Sequence, residues 1–152
     1  MSFRQQLASQ LPYLRRYARA LTGSQTLGDA AVRETLEALL EAPEEWDEAA
    51  PVKTELFRTF HRIWNSDMIA PLESRGRSGV IAEFPVKRRQ SLLLSTVEGF
   101  KSNEVAKILG ISESDVNSHV VAARSAIEDA LCARVLIIED ETIIALHIKQ
   151  IV

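Results

Sequence analysis

The stretch Ser102-Asn103-Glu104-Val105-Ala106-Lys107-Ile108-Leu109-Gly110-Ile111-Ser112-Glu113-Ser114-Asp115-Val116 decides the fold. Ser102 to Leu109 reads as a short helix. Gly110 ends it, because glycine takes the left-handed conformation at a helix C-terminus without steric cost. Ser112, followed three residues later by Asp115, is a capping-box signal and starts a new helix. That helix places Val116, Val120, Ala123, Ile127 and Leu131 on one stripe, at steps of four, three, four and four. Upstream, another helix begins near Pro85 and runs through Leu92, Leu93, Leu94 and Val97 to Gly99. Two helices joined by a tight glycine turn and preceded by a third make a helix-turn-helix arrangement.

The N-terminal part has the same period. Leu11, Leu14, Tyr17, Ala18 and Leu21 share one helix face, and Thr22-Gly23-Ser24 breaks that helix. A second helix carries Leu27, Ala31, Val32, Leu36, Leu39 and Leu40 and stops before Pro43. After an acidic run from Glu41 to Glu48, a third helix starts near Pro51 and buries Leu56, Phe60, Ile63 and Trp64. From Pro71 to Phe84 the pattern fades, with Gly76 and Gly79 between helical segments. The sequence therefore predicts an all-α protein of two helical subdomains, 1–70 and 85–132, joined by a linker over 71–84.

The 152 residues are 46% apolar and 26% charged, the balance of a globular protein, and the net charge is −3. No apolar run approaches the twenty or so residues that a bilayer requires, and Met1 to Gln10 lacks a signal-peptide core, so a cytoplasmic protein is expected. Cys132 is the only cysteine and reads as a packing residue. His61, His119 and His147 are scattered singly, with no partner at metal-ligand spacing. Gly76-Arg77-Ser78-Gly79 is not a phosphate loop, and no serine or cysteine has a recognisable base partner; an enzyme is not expected.

Val97-Glu98-Gly99-Phe100 and Glu104 to Ser112 resemble the fourth region of the extracytoplasmic-function sigma factors. Ala30-Ala31-Val32-Arg33-Glu34-Thr35-Leu36 is similar, less closely, to that family's polymerase-binding segment in its second region. The resemblance covers roughly residues 8 to 131. It implies a helix-turn-helix whose second helix would read the DNA major groove with its N-terminal residues. Family members commonly carry Thr, Lys and Arg there, with another Arg one turn later. The matching positions here are Asp115, Asn117, His119 and Ala122. From Ser112 to Leu131 four acids, Glu113, Asp115, Glu128 and Asp129, stand against Arg124 alone, which leaves −3. Binding to a polyanion is built from cationic contacts with phosphates, and each one lost weakens it. In the polymerase-binding segment the usual Asp and Gln are Ala30 and Arg33, with Asp29 as a partial substitute.

The tail differs in kind. Val135-Leu136-Ile137-Ile138 reads as a buried strand ended by Glu139-Asp140-Glu141, and Thr142 to Val152 begins a helix. Such a strand needs neighbours that 133–152 does not supply, so the segment is either the truncated start of another domain or a tail packed in some other way. It resembles the first strand of a response-regulator receiver domain. In an intact receiver that resemblance makes Glu139 and Asp140 the Mg²⁺-binding acids, with the acceptor Asp beyond Val152. A sigma-like part followed by a receiver resembles the PhyR-type regulators of the alphaproteobacterial general stress response. The resemblance implies sigma mimicry. On phosphorylation the receiver frees the sigma-like part, which captures a NepR-like anti-sigma factor through amphipathic helices and so releases the true sigma factor. No DNA or membrane partner is expected. Candidate partner-binding residues are Leu36, Leu40, Phe57, Val120 and Val121, apolar positions at stripe edges that also fit a core, Leu36 and Val120 above all. The alternative is a DNA-binding sigma factor whose first half reads the promoter, for which Lys53, Arg58, His61 and Arg62 are suitably placed. A dimerisation module is a third possibility.

Overall fold

The computed structural model describes residues 3–43, 46–47, 49–64 and 80–131. Cys132, the expected strand and helix of 133–152, and with them Glu139, Asp140 and His147, lie outside the described residues, as does most of the expected linker.

The described residues form six α-helices: α1 (Phe3–Thr22), α2 (Gln25–Glu41), α3 (Val52–Trp64), α4 (Val86–Thr96), α5 (Ser102–Leu109) and α6 (Glu113–Leu131). α1 and α2 pack as a hairpin over Gly23, whose φ of 67° is the left-handed value that closes the turn. Ser24 caps α2 by accepting from the Leu27 N–H at 3.4 Å. The two helices approach closely at Gly28, where a Cβ would sit 2.7 Å from the Arg19 nitrogen and 2.8 Å from its Cα.

The helix-turn-helix forms as its sequence signals require. Gly110 takes φ 64° and ψ 38°, and the Ile111 N–H returns to the Ala106 carbonyl at 3.2 Å. At the start of α6 the Asp115 N–H donates to Ser112 Oγ at 3.1 Å, and that hydroxyl donates to Asp115 Oδ2 at 2.7 Å. α4 ends at Thr96 rather than Gly99; residues 97–100 form the turn into α5.

Two features of the organisation go beyond the sequence pattern. At the end of the expected linker, Val80–Glu83 is a short 3-10 helix, and buried Phe84 packs with Leu92 of α4 and Ala123 of α6. The two helical halves also share a core. Leu14, Tyr17, Leu56, Phe57 and Phe60 from the first half form one cluster with Leu93, Leu94, Phe100, Val105 and Ile108 from the second. The physical reason is size: a three-helix unit buries too little apolar surface alone, and merging the halves removes both inner faces from water. The predicted stripe of α6 also fades at its end, where Leu131 is exposed.

Candidate partner-binding surface

The candidate residues fall into three environments. Leu40 on α2 is 81% exposed and Val121 on α6 is 67% exposed, which suits a docking surface. Leu36 and Val120 are partly buried and pack against the common core. Phe57 is 0% exposed, so its candidacy is corrected: its ring lies 5.3 Å from that of Tyr17 and 5.1 Å from that of Phe100, at the centre of the molecule. Helical spacing could not make this distinction, because Phe57 sits beside the Leu56–Phe60 stripe and is covered by Tyr17 of α1 and by Phe100 of the second half.

The side of α6 that would face a DNA groove is small and uncharged. Ser114, Asn117, Ser118, Val121, Ala122 and Ser125 line a surface depression there. The residues that replace the usual groove readers are engaged within the chain. Asp115 is held by Ser112, whose hydroxyl keeps the carboxyl below its usual range. Asn117 Oδ1 accepts from Ser102 Oγ at 2.7 Å, and His119 Nδ1 lies 3.3 Å from Ser91 Oγ of α4. An ionised Asp115 at the head of this helix meets a phosphate backbone with repulsion.

The first-half residues that kept promoter reading open are also occupied. Lys53 Nζ donates to the Glu98 carbonyl at 2.6 Å and lies 4.5 Å from the centroid of the Phe100 ring. Arg58 Nη2 pairs with Glu55 Oε1 at 2.8 Å. His61 is buried, with its Nε2 2.8 Å from the Tyr17 hydroxyl. Arg62 is exposed and has a partner of its own. On α2, Asp29 could have substituted for the missing acid of the polymerase-binding segment, but Arg19 takes both its carboxylate oxygens, at 2.9 and 2.8 Å. No sequence signal announced these pairings, because each joins residues from different helices or depends on a rotamer.

A family model described as the sigma2 domain of PhyR matches residues 7–61, and one described as the sigma-like domain of the response regulator PhyR matches residues 82–130. The solution structure of a PhyR sigma-like domain in complex with NepR, from Sphingomonas sp. Fr1, is 34% identical with a TM-score of 0.70, over 93% of this chain and 99% of that one. The chain belongs to the PhyR family. The phyllosphere-induced regulator PhyR of Methylorubrum extorquens is 42% identical over 160 residues, covering 100% of this chain and 59% of the relative. A crystal structure of the anti-anti-sigma factor PhyR of Bartonella quintana, complexed with the anti-sigma factor NepR, is 31% identical with a TM-score of 0.76, over 99% of this chain and 60% of that one. The chain thus spans about three fifths of these two longer PhyR proteins. Among the described residues no helix is long and apolar enough to cross a membrane.

Proposed function

We propose that this chain is a sigma mimic that captures a NepR-like anti-sigma factor, so that the true sigma factor is released to the polymerase. One observation carries the reading: the helix-turn-helix is intact while the side that would read DNA has lost its cations. α6 keeps the cap, glycine turn and buried Val116 of a sigma fourth region, yet presents serines, Asn117, Ala122 and Val121 in place of basic readers. A fold kept while its DNA chemistry is removed suits recognition by a protein that binds sigma factors. An amphipathic partner helix can lay its apolar face on Val121 of α6 or Leu40 of α2. Structures of related PhyR proteins with NepR support this choice of partner.

The role is regulatory and non-enzymatic. In the intact protein a receiver domain beginning after residue 132 would cover the same surface until phosphorylated. Glu139 and Asp140 supply carboxylate oxygens of the kind Mg²⁺ accepts, and in that receiver they would hold the ion.

The deciding experiment mixes the purified protein with a NepR-like anti-sigma factor and, separately, with promoter duplex at physiological salt. Capture of the anti-sigma factor without duplex binding is the expected result. Selective duplex binding would overturn the reading in favour of a DNA-binding sigma factor. For the switch, full-length protein activated by a phosphoryl mimic is expected to bind the anti-sigma factor more tightly than the resting form, and equal binding would eliminate receiver control.

A further inference from the structure

The turn between α4 and α5 is one place where the second half of the molecule grips the first; elsewhere Arg89 Nη1 of α4 donates to the Leu21 carbonyl of α1 at 3.1 Å. The Glu98 side chain is 0% exposed, and Arg16 of α1 takes both its oxygens, with Nε 3.1 Å from Oε1 and Nη2 3.0 Å from Oε2. The same Nη2 donates to the Val97 carbonyl at 3.2 Å. From α3, Lys53 donates to the Glu98 carbonyl and lies over Phe100, while Phe57 meets the Phe100 ring edge-on. Three residues of one turn are thereby tied to two helices of the other half.

Apolar burial is non-directional, so the shared core alone leaves the halves free to shift against each other. A bidentate arginine–carboxylate pair is planar and directional. With the carboxylate buried, any other arrangement leaves a charge unpaired, which makes the pair a device for selecting one geometry. We propose that Glu98 is a positioning residue for partner capture. Its carboxylate acts through Arg16 while Lys53 holds its backbone carbonyl, and together these lock the halves into one preformed platform, so that the exposed Leu40 region of α2 and the Val121 side of α6 stand at a fixed spacing before the partner arrives. Glu98 is buried and does not itself touch the partner. The proposal rests on the capture reading above.

A partner that bridges both halves binds only the locked form, and its apparent affinity falls with the fraction locked. The test uses the whole chain as wild type, Arg16→Lys, Glu98→Gln and the double variant Arg16→Met/Glu98→Gln. The double variant leaves no buried charge unpaired and serves if the single Gln variant fails to fold. The probe is a NepR-like anti-sigma factor, with association and dissociation rates measured separately. Spin labels at exposed Thr26 of α2 and Glu128 of α6, on a Cys132→Ser background, report the spacing of the halves. Unlocking to about one molecule in ten should slow association about tenfold with dissociation unchanged. The label distances should broaden, and Arg16→Lys, which keeps the charge but loses the planar fork, should fall between.

Unchanged association, or faster dissociation alone, would overturn the proposal. Tighter capture by the unlocked variants would also overturn it, making the pair a lock against the partner. Wild type that ignored the anti-sigma factor would overturn the capture reading and this proposal with it. Variants that captured as fast as a capturing wild type would overturn this proposal alone.

Discussion

The Tyr17 hydroxyl lies 2.8 Å from Nε2 of His61, and both side chains are sealed from water between α1 and α3. Burial drives the imidazole down to about 3, helped by the positive charge of Lys87 on α4, and drives the Tyr17 phenol well above its ordinary value. A neutral imidazole and a protonated phenol therefore share one hydrogen bond in the core. His61 stands where a promoter-reading residue was conceivable, and its environment excludes that role.

This pair predicts the pH response of the fold. His61 titrates near 6.5 when unfolded and about 3 when folded, so the unfolded chain binds more protons between those values. The contribution is fully present above pH 6.5 and is lost as the pH falls from there toward 3. The slope from this one group reaches about 1.4 kcal/mol per pH unit. Urea titrations at stepped pH should show it, and His61→Phe should flatten the profile through that window. An equally steep profile in the variant would assign the acid sensitivity elsewhere.

The buried environment of Phe57 and the exposed ones of Leu40 and Val121 separate stability from binding. Phe57→Ala should cost roughly 3–5 kcal/mol of stability, because it empties the contact between the halves. Leu40→Glu and Val121→Glu change exposed side chains and should move stability by no more than about 0.5 kcal/mol. Each should weaken anti-sigma capture about tenfold, equivalent to about 1.4 kcal/mol. Thermal melts and calorimetry on the same samples check both, and full-strength capture by both Glu variants would place the partner elsewhere on the molecule.

Gly28 should resist enlargement although it lies inside a helix, where alanine is usually preferred. The added methyl meets the backbone of Arg19 and Ala18, which cannot swing aside as a flexible side chain would. Gly28→Ala should cost about 1–3 kcal/mol by forcing α1 and α2 apart. A chemical denaturation midpoint equal to or above that of wild type would contradict the close approach.

Duplex binding should be recoverable if missing cations are what silence α6. Asn117→Lys, Ser118→Arg and Val121→Arg together place three positive charges around the depression on α6. The triple variant should gain sequence-independent duplex affinity whose dependence on log salt is steeper than wild type by about 2.7, near 0.9 per phosphate neutralised. Fluorescence anisotropy across a salt series measures it. No gain would mean that the closed arrangement of the halves, and not charge, excludes DNA.

Local order was legible in the residues themselves. Gly110, Ser112 and Asp115 specify the turn and the cap of α6 through backbone conformation and one hydroxyl, which need no distant partner. The 3.6-residue period of α1, α2 and α3 specifies their inner faces for the same reason. The absence of basic readers on α6 is a property of the chain, and it pointed to a protein partner before any contact was known. Tertiary structure alone decided that the two halves share one core, that Phe57 is central rather than superficial, and that Lys53 and His61 are already engaged. It alone joined Arg16 to Glu98 across 82 residues. Hydrophobic spacing says which side of a helix avoids water but not which helix covers it, and an ion pair depends on where two side chains meet, a distance that no local pattern encodes.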